Sequence, residues 1–105
     1  MNFLQIELTQ GNINQGHFYL PDCRHFFPAS CFGGKNKSLA GMPVTVHFDG
    51  TGESVETDID ATKRLLRVAR GQSKRFLSFF SSKAGDTIYI HQDKSGDYRV
   101  TACKP

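Results

Sequence analysis

The segment Ile59–Ile90 reads IDATKRLLRVARGQSKRFLSFFSSKAGDTIYI and carries most of the positive charge of the chain. Between Ala61 and Gly85 it contains no Asp or Glu and seven basic residues: Lys63, Arg64, Arg67, Arg70, Lys74, Arg75 and Lys83. The rest of the chain has six basic and ten acidic residues, a net charge of −4, so the overall charge of +3 hides a strongly polarised molecule. Charge of one sign gathered in one segment predicts a polyanion as partner. A solvated basic face is the alternative, but the interleaved apolar residues indicate a folded surface.

The composition predicts one globular domain over residues 1–105, with 38% hydrophobic and 22% charged residues. No apolar run approaches the roughly 18 residues of a membrane span. The segment Met1–Gln10 also lacks the charged start and apolar middle of a signal peptide. We therefore expect a cytoplasmic protein, nucleoid-associated if bacterial. The cysteines, Cys23, Cys31 and Cys103, are odd in number and sparse, which predicts reduced thiols rather than a disulfide framework.

The N-terminal segment combines a predicted strand with an amide-rich loop. Leu4, Ile6 and Leu8 alternate with polar residues, which predicts a half-buried first strand that ends at Thr9. The loop that follows, QGNINQGH, provides Gln10, Asn12, Asn14, Gln15 and His17. Asn and Gln side chains bind adenine edges, and Arg reads guanine and phosphate, so this loop and the basic segment together indicate DNA contacts. Turn geometry alone explains the Asn and Gly residues of the loop equally well.

The other predicted elements are short. They are a second strand at 18–20 before Pro21, a helical turn at 23–26 capped by Asp22, a loop at 33–41, a hairpin of strands 44–48 and 55–59 around an Asp-Gly turn, a turn at 60–62, a strand at 65–68, a helix at 74–81 capped by Ser73, and strands at 87–90 and 98–103. Phe76, Leu77, Phe79 and Phe80 recur at helical spacing, which predicts a core stripe rather than a base-stacking platform. Six or seven strands with two small helical pieces predict a mostly β, antiparallel, barrel-like domain.

Several short motifs in order along the chain resemble those of one family. They are Phe18-Tyr19-Leu20-Pro21 with Phe27-Pro28, and then Gly71, Ser73 and Arg75-Phe76 leading into Ala84-Gly85-Asp86 and an apolar strand. In this order the chain resembles the DNA-binding pseudobarrel superfamily, which includes plant B-three transcription-factor domains and the recognition domains of EcoRII-like and BfiI-like restriction enzymes. The chain lacks Trp, and segment 9–17 lacks Lys and Arg, unlike the plant domains. These departures favour the restriction-type branch.

The resemblance implies a mostly β fold, a seven-stranded open pseudobarrel with two short helices, that grips the major groove of double-stranded DNA with two arms. The arms fall on residues 9–17 and 60–67, and a nuclease domain or subunit elsewhere is a further expected partner. The DNA-binding residues expected from the arms and their flanks are Gln10, Asn12, Asn14, Gln15, His17, Asp60, Thr62, Lys63, Arg64, Arg67, Arg70 and Lys74. Neither a cofactor nor a small-molecule substrate is expected.

Three alternatives to a DNA-binding domain without a metal are an enzyme, a zinc protein and an interaction module. The acidic residues are scattered and no G-x-S-x-G or H-E-x-x-H motif occurs, so we expect a protein that is not an enzyme. Cys23, His25, Cys31 and Cys103 could supply zinc ligands, although their spacing contains no C-x-x-C pair, and we expect no metal. The alternative function is a small β-barrel interaction module that binds RNA or an acidic protein.

Overall fold

The computed structural model describes residues 3–105, apart from the side chain of Lys37. Along the chain the elements are β1 (Phe3–Glu7), α1 (Gln10–Gln15), β2 (Phe32–Gly33), β3 (Val44–Phe48), β4 (Ser54–Thr57), β5 (Ile59–Asp60), β6 (Leu65–Leu66), α2 (Arg70–Phe79), β7 (Thr87–Gln92) and β8 (Tyr98–Thr101). Single 3-10 turns lie at Ala29–Cys31 and Lys37–Leu39. None of the helices in this described range is long and apolar enough to cross a membrane.

The strands form two sheets that do not close into a barrel. The larger sheet has the order β1-β7-β8-β3-β4, and the smaller has the order β2-β5-β6. Most neighbours are antiparallel, but β3 runs parallel to β8 and β2 runs parallel to β5. The predicted mostly β class with two short helices is confirmed, although the described strands number eight rather than seven and the pairing is mixed.

The core combines buried side chains of the larger sheet, the smaller sheet, α2 and segment 18–31. Apolar residues alternate along the strands, so one face of the sheet is buried, as Ile88 and Ile90 in β7 illustrate. Phe76 of α2 is fully buried, and its ring centroid lies 6.2 Å from that of Phe18 and 5.8 Å from that of Phe48. Burial of a Phe side chain contributes about 2–3 kcal/mol, so this aromatic cluster fixes α2 on the sheet.

Helix α2 begins earlier than its sequence predicts. Ala69 occupies the N-cap position and the helix runs from Arg70, so the prediction that Ser73 caps a helix at 74–81 is wrong. Ser73 is instead fully buried inside the helix. Phe76 and Leu77 lie in the core as predicted and Phe80 packs against it, but Phe79 is 59% exposed. The helix ends at Phe79 because Phe80 and Ser81 leave helical geometry, and Ser81 has a φ of 51°.

The predicted return strand 55–59 is broken at Asp58. The hairpin around the Asp-Gly turn is confirmed, with β3 and β4 paired antiparallel. Beyond Thr57 the chain leaves the larger sheet, and Ile59–Asp60 joins the smaller sheet. The Asp58 side chain is buried between the two and accepts hydrogen bonds from Arg67 and from the Gly41 N–H. An acidic residue can occupy this buried position because it is paired.

Other boundaries also shift. β1 ends at Glu7 rather than Thr9, because Thr9 caps α1, and segment 18–20 forms only an isolated bridge from Tyr19 to Leu65. Segment 23–26 is a turn rather than the predicted helical turn, and the Phe26 N–H donates a hydrogen bond to the Cys23 carbonyl oxygen. The expected loop 33–41 includes part of β2 and a 3-10 turn. The strands predicted at 65–68, 87–90 and 98–103 are observed at Leu65–Leu66, Thr87–Gln92 and Tyr98–Thr101.

Candidate nucleic-acid interface

The first arm is a helix, not the loop that the sequence predicts. Thr9 Oγ1 accepts the Asn12 backbone N–H at 3.1 Å, and Asn12 Oδ1 accepts the Thr9 backbone N–H at 2.9 Å. This reciprocal capping box satisfies N–H groups that a helix start leaves unpaired. Asn12 is only 5% exposed, so its amide serves the helix and not a ligand.

The exposed side chains of the first arm are amides. Gln10, Asn14 and Gln15 face solvent, whereas Ile13 packs against the core. Gln10 Nε2 donates a hydrogen bond to Asn14 Oδ1 at 3.0 Å. His17 is half-buried beyond the helix. Its ring lies edge-on to that of Tyr19, with a centroid distance of 5.9 Å.

Close packing on α2 fixes the position of α1. Gly16 ends α1 with a φ of 68°, and a Cβ at Gly16 would lie 2.9 Å from the Arg70 carbonyl oxygen and 3.0 Å from Lys74 Cγ. Only glycine combines this left-handed conformation with such a close approach. Arg70 Nη2 donates to the Asn14 carbonyl oxygen at 3.0 Å. Two cations of α2, Arg70 and Lys74, therefore lie beside the C-terminal end of α1.

The second arm is a tight turn organised by Asp60. Asp60 is buried, and its Oδ1 accepts the backbone N–H groups of Thr62 at 3.0 Å and Lys63 at 3.3 Å. Asp60 thus shapes the turn and offers little surface to a ligand. Thr62, Lys63 and Arg64 are exposed, and Arg64 has a φ of 52°.

A short antiparallel ladder connects the two arms. The Leu20 N–H donates to the Arg64 carbonyl at 2.7 Å, and the Leu66 N–H donates to the Phe18 carbonyl at 3.2 Å. The arms leave opposite ends of this ladder, and two residue steps along a strand separate their bases by about 7 Å. The two arms therefore start from opposite ends of the ladder, rather than side by side.

Three of the seven basic residues between Ala61 and Gly85 have carboxylate partners. Arg67 binds Asp58, Arg75 binds Glu53 and Lys83 binds Asp86. The other four are exposed and have no ion-pair partner within residues 3–105. We call these four residues the basic strip: Lys63, Arg64, Arg70 and Lys74. Two of them lie on the second arm and two lie on α2 beside the first arm.

Arg67 is part of the scaffold of the second arm. Its guanidinium contacts Asp58 Oδ1 at 2.7 Å and the Gly34 carbonyl at 2.6 Å, and the side chains of Arg67 and Asp58 are 20% and 4% exposed. Burial raises the pKa of Asp58, but the hydrogen bonds from Arg67 and Gly41 outweigh burial and hold that pKa below its usual value. A phosphate could engage Arg67 only by breaking this pair.

Tyr19 was not among the predicted site residues. It lies in the ladder between the arms and is 48% exposed, whereas Phe18 and Leu20 on either side are buried. Alternation of buried and exposed side chains along an extended segment is the signal that could have found it. An exposed aromatic ring at this point can pack against a nucleotide sugar or base.

The cysteines and histidines of residues 3–105 do not form a metal-binding cluster. No group of three His, Cys, Asp or Glu side chains within residues 3–105 is arranged to hold a metal ion. Cys23 and Cys31 are buried and Cys103 is exposed, each as a free thiol. Burial, with a smaller contribution from Asp58, raises the pKa of Cys31 to about 11, so its thiol stays protonated at neutral pH.

One hydrogen-bonded chain of Ser, His and Asp lies away from the arms. His47 Nδ1 is 2.6 Å from Ser54 Oγ, and His47 Nε2 is 2.8 Å from Asp97 Oδ2. These hydrogen bonds connect β3, β4 and the turn before β8. Ser54 is exposed to water, unlike the nucleophile of a preorganised, water-excluding site.

Comparisons with protein-family models, with curated proteins and with solved structures gave no significant match.

Proposed function

We propose that this domain binds double-stranded DNA through its two arms, at residues 9–17 and 60–67, in the major groove. The observation that carries this proposal is the basic strip. Its cations have no carboxylate partner in the described part of the chain, whereas Arg67, Arg75 and Lys83 do. Exposed cations that form no ion pair are available to neutralise phosphates.

The side chains of the two arms can make two kinds of DNA contact, to phosphates and to base edges. Lysine and arginine bind phosphates and fix the position and register of a protein on a duplex, while base edges provide sequence information. Arg70 and Lys74 lie beside the C-terminal end of α1, so phosphate contacts there would bring the exposed amides of that helix, Gln10 and Asn14, towards the base edges. Arg64 on the second arm can bind a guanine edge or a phosphate.

A matched pair of lysine variants tests the proposal. The double substitution Lys63→Gln and Lys74→Gln removes two charges from the basic strip, and the control Lys94→Gln and Lys104→Gln removes two exposed charges elsewhere. Loss of two phosphate contacts is expected to weaken duplex binding at least about 10-fold at 0.1 M salt, while the control stays within about 2-fold of the wild type. Fluorescence anisotropy with a labelled duplex measures both.

Competition with other nucleic acids completes the test. Duplex DNA, single-stranded DNA and duplex RNA of the same sequence compete against the labelled duplex. The proposal predicts that duplex DNA competes best. Preference for single strands or for RNA, or equal weakening by the two double variants, would contradict it.

A further inference from the structure

The outward face of α1 carries two amides that act as one group. Gln10 and Asn14 are four residues apart, so they are neighbours on one side of the helix. Both are exposed, and Gln10 Nε2 donates to Asn14 Oδ1 at 3.0 Å. We call these two side chains the amide pair. No charged residue lies within α1, whose sequence is QGNINQ.

The internal hydrogen bond determines which atoms of the amide pair remain free. Asn14 uses one lone pair of its carbonyl oxygen and keeps its NH2 group, while Gln10 uses one N–H and keeps the other N–H and its carbonyl oxygen. If both amides turn over by 180°, the two residues exchange roles, but one carbonyl and one NH2 group still remain free. In either orientation the amide pair presents a free carbonyl oxygen beside a free NH2 group.

Adenine is the base whose major-groove edge engages both a carbonyl oxygen and an NH2 group. Adenine has an acceptor at N7 and a donor at N6, whereas guanine has two acceptors, cytosine has one donor, and thymine has one acceptor beside a methyl group. We infer that the amide pair reads an adenine, and therefore that the DNA site contains a required A·T base pair under α1. The inference rests on the proposed DNA binding and adds the base that the first arm recognises.

The setting of α1 supports this role because base reading needs donors and acceptors held in fixed positions. An isolated helix of six residues is unstable in water. Here the capping box of Thr9 and Asn12 fixes its start, and the contact of Gly16 with Arg70 fixes its end. The amide pair contributes to neither anchor through its side chains, since Asn14 is held by Arg70 through its backbone carbonyl.

The experiment is a selection from a random duplex pool followed by an atomic substitution in the selected duplex. Wild-type protein should recover a short motif with one position restricted to adenine. Replacing that adenine by 7-deazaadenine removes only N7, and should weaken wild-type binding by roughly 5- to 150-fold. The double variant Gln10→Ala and Asn14→Ala should lose the adenine preference and be insensitive to the deaza substitution.

Gln15→Ala provides the matched control, since Gln15 is an exposed amide of the same helix outside the amide pair. It should keep both the adenine preference and the sensitivity to N7. Circular dichroism spectra that match the wild type show that the variants are folded. Duplex binding without a required adenine, or equal deaza sensitivity in the double variant and wild type, would overturn this inference alone. If the wild-type protein bound no duplex DNA at all, the proposed function would be overturned as well.

Discussion

Arg64 and Ser81 are the two residues other than glycine that have a positive φ in the described part of the chain. Arg64 has a φ of 52° in the turn of the second arm, a left-handed conformation that costs a residue with a Cβ roughly 1–2 kcal/mol. Glycine or asparagine would adopt it more easily, so the turn itself does not explain an arginine here. A strained residue that is also exposed and unpaired is a candidate for a direct ligand contact.

We predict that Arg64→Asn separates stability from binding. Asparagine tolerates the left-handed conformation, so the free energy of unfolding should stay level or rise by up to about 1 kcal/mol. Duplex affinity should fall at least about 5-fold because a guanine or phosphate contact is lost. Urea unfolding and duplex anisotropy measure the two effects.

Arg64→Lys is the control for charge, because it keeps both the cation and the strained backbone. It should bind more tightly than Arg64→Asn. A fully active Arg64→Asn variant would remove this residue from the interface.

At the residue scale, the sequence indicates which types of side chain matter but not how each is used. The amides of segment 10–17 were predicted as one set, yet Asn12 is buried in a capping box while Asn14 is exposed. Likewise Arg67 and Arg64 belong to one basic run, and only the fold shows that Asp58 binds Arg67. The pairing of Asp58 with Arg67 depends on the break between β4 and β5, which alternation alone does not reveal.

At the scale of elements, the Asp58–Arg67 pair holds the second arm to its surroundings. Asp58 follows β4, and Arg67 follows β6 and also binds the Gly34 carbonyl beyond β2. We predict that Asp58→Asn lowers the free energy of unfolding by about 3 kcal/mol at pH 7, because it leaves a partly buried arginine unpaired. Urea unfolding provides the measurement.

The pH dependence of this loss has a definite sign. Because the pKa of Asp58 is lower in the folded state than in the unfolded state, its contribution is present above an unfolded pKa of about 3.9 and is lost as pH falls through the folded value. The difference between wild type and Asp58→Asn should therefore shrink below about pH 4. Asp22→Asn is the control, since its pair with Arg24 is exposed, and it should hardly change stability. A difference that persists undiminished in acid would contradict the assigned role of the pair.

Element types were easier to predict than their boundaries. Strands β1, β3 and β7 follow from alternation of apolar residues, and the hairpin of β3 and β4 follows from its Asp-Gly turn. Helix α1 was missed because its sequence, QGNINQ, lacks an apolar stripe and is rich in residues typical of turns. Its stability comes from the capping box and from contact with α2, which are tertiary and local effects that periodicity does not report.

At the scale of the whole molecule, the domain measures 33 × 29 × 23 Å along its principal axes. At 3.4 Å per base pair, its longest dimension covers at most about ten base pairs, so a single copy would recognise a short site. The open arrangement of two sheets leaves both arms on the outside, at opposite ends of the ladder of Phe18–Leu20 with Arg64–Leu66. The mostly β class was predictable from the number of short predicted strands. The parallel pairing of β3 with β8 was not, because it joins segments that are distant in sequence.

The salt dependence of duplex binding tests most directly whether the basic strip neutralises phosphates. Each neutralised phosphate contributes about −0.9 to the slope of log affinity against log salt concentration, so the four cations of the strip predict a slope of about −3 to −4. The measurement is a titration of the wild-type protein with a labelled duplex between about 50 and 200 mM salt. A slope in that range supports the account, and binding that is indifferent to salt, or absent at 50 mM, would contradict it.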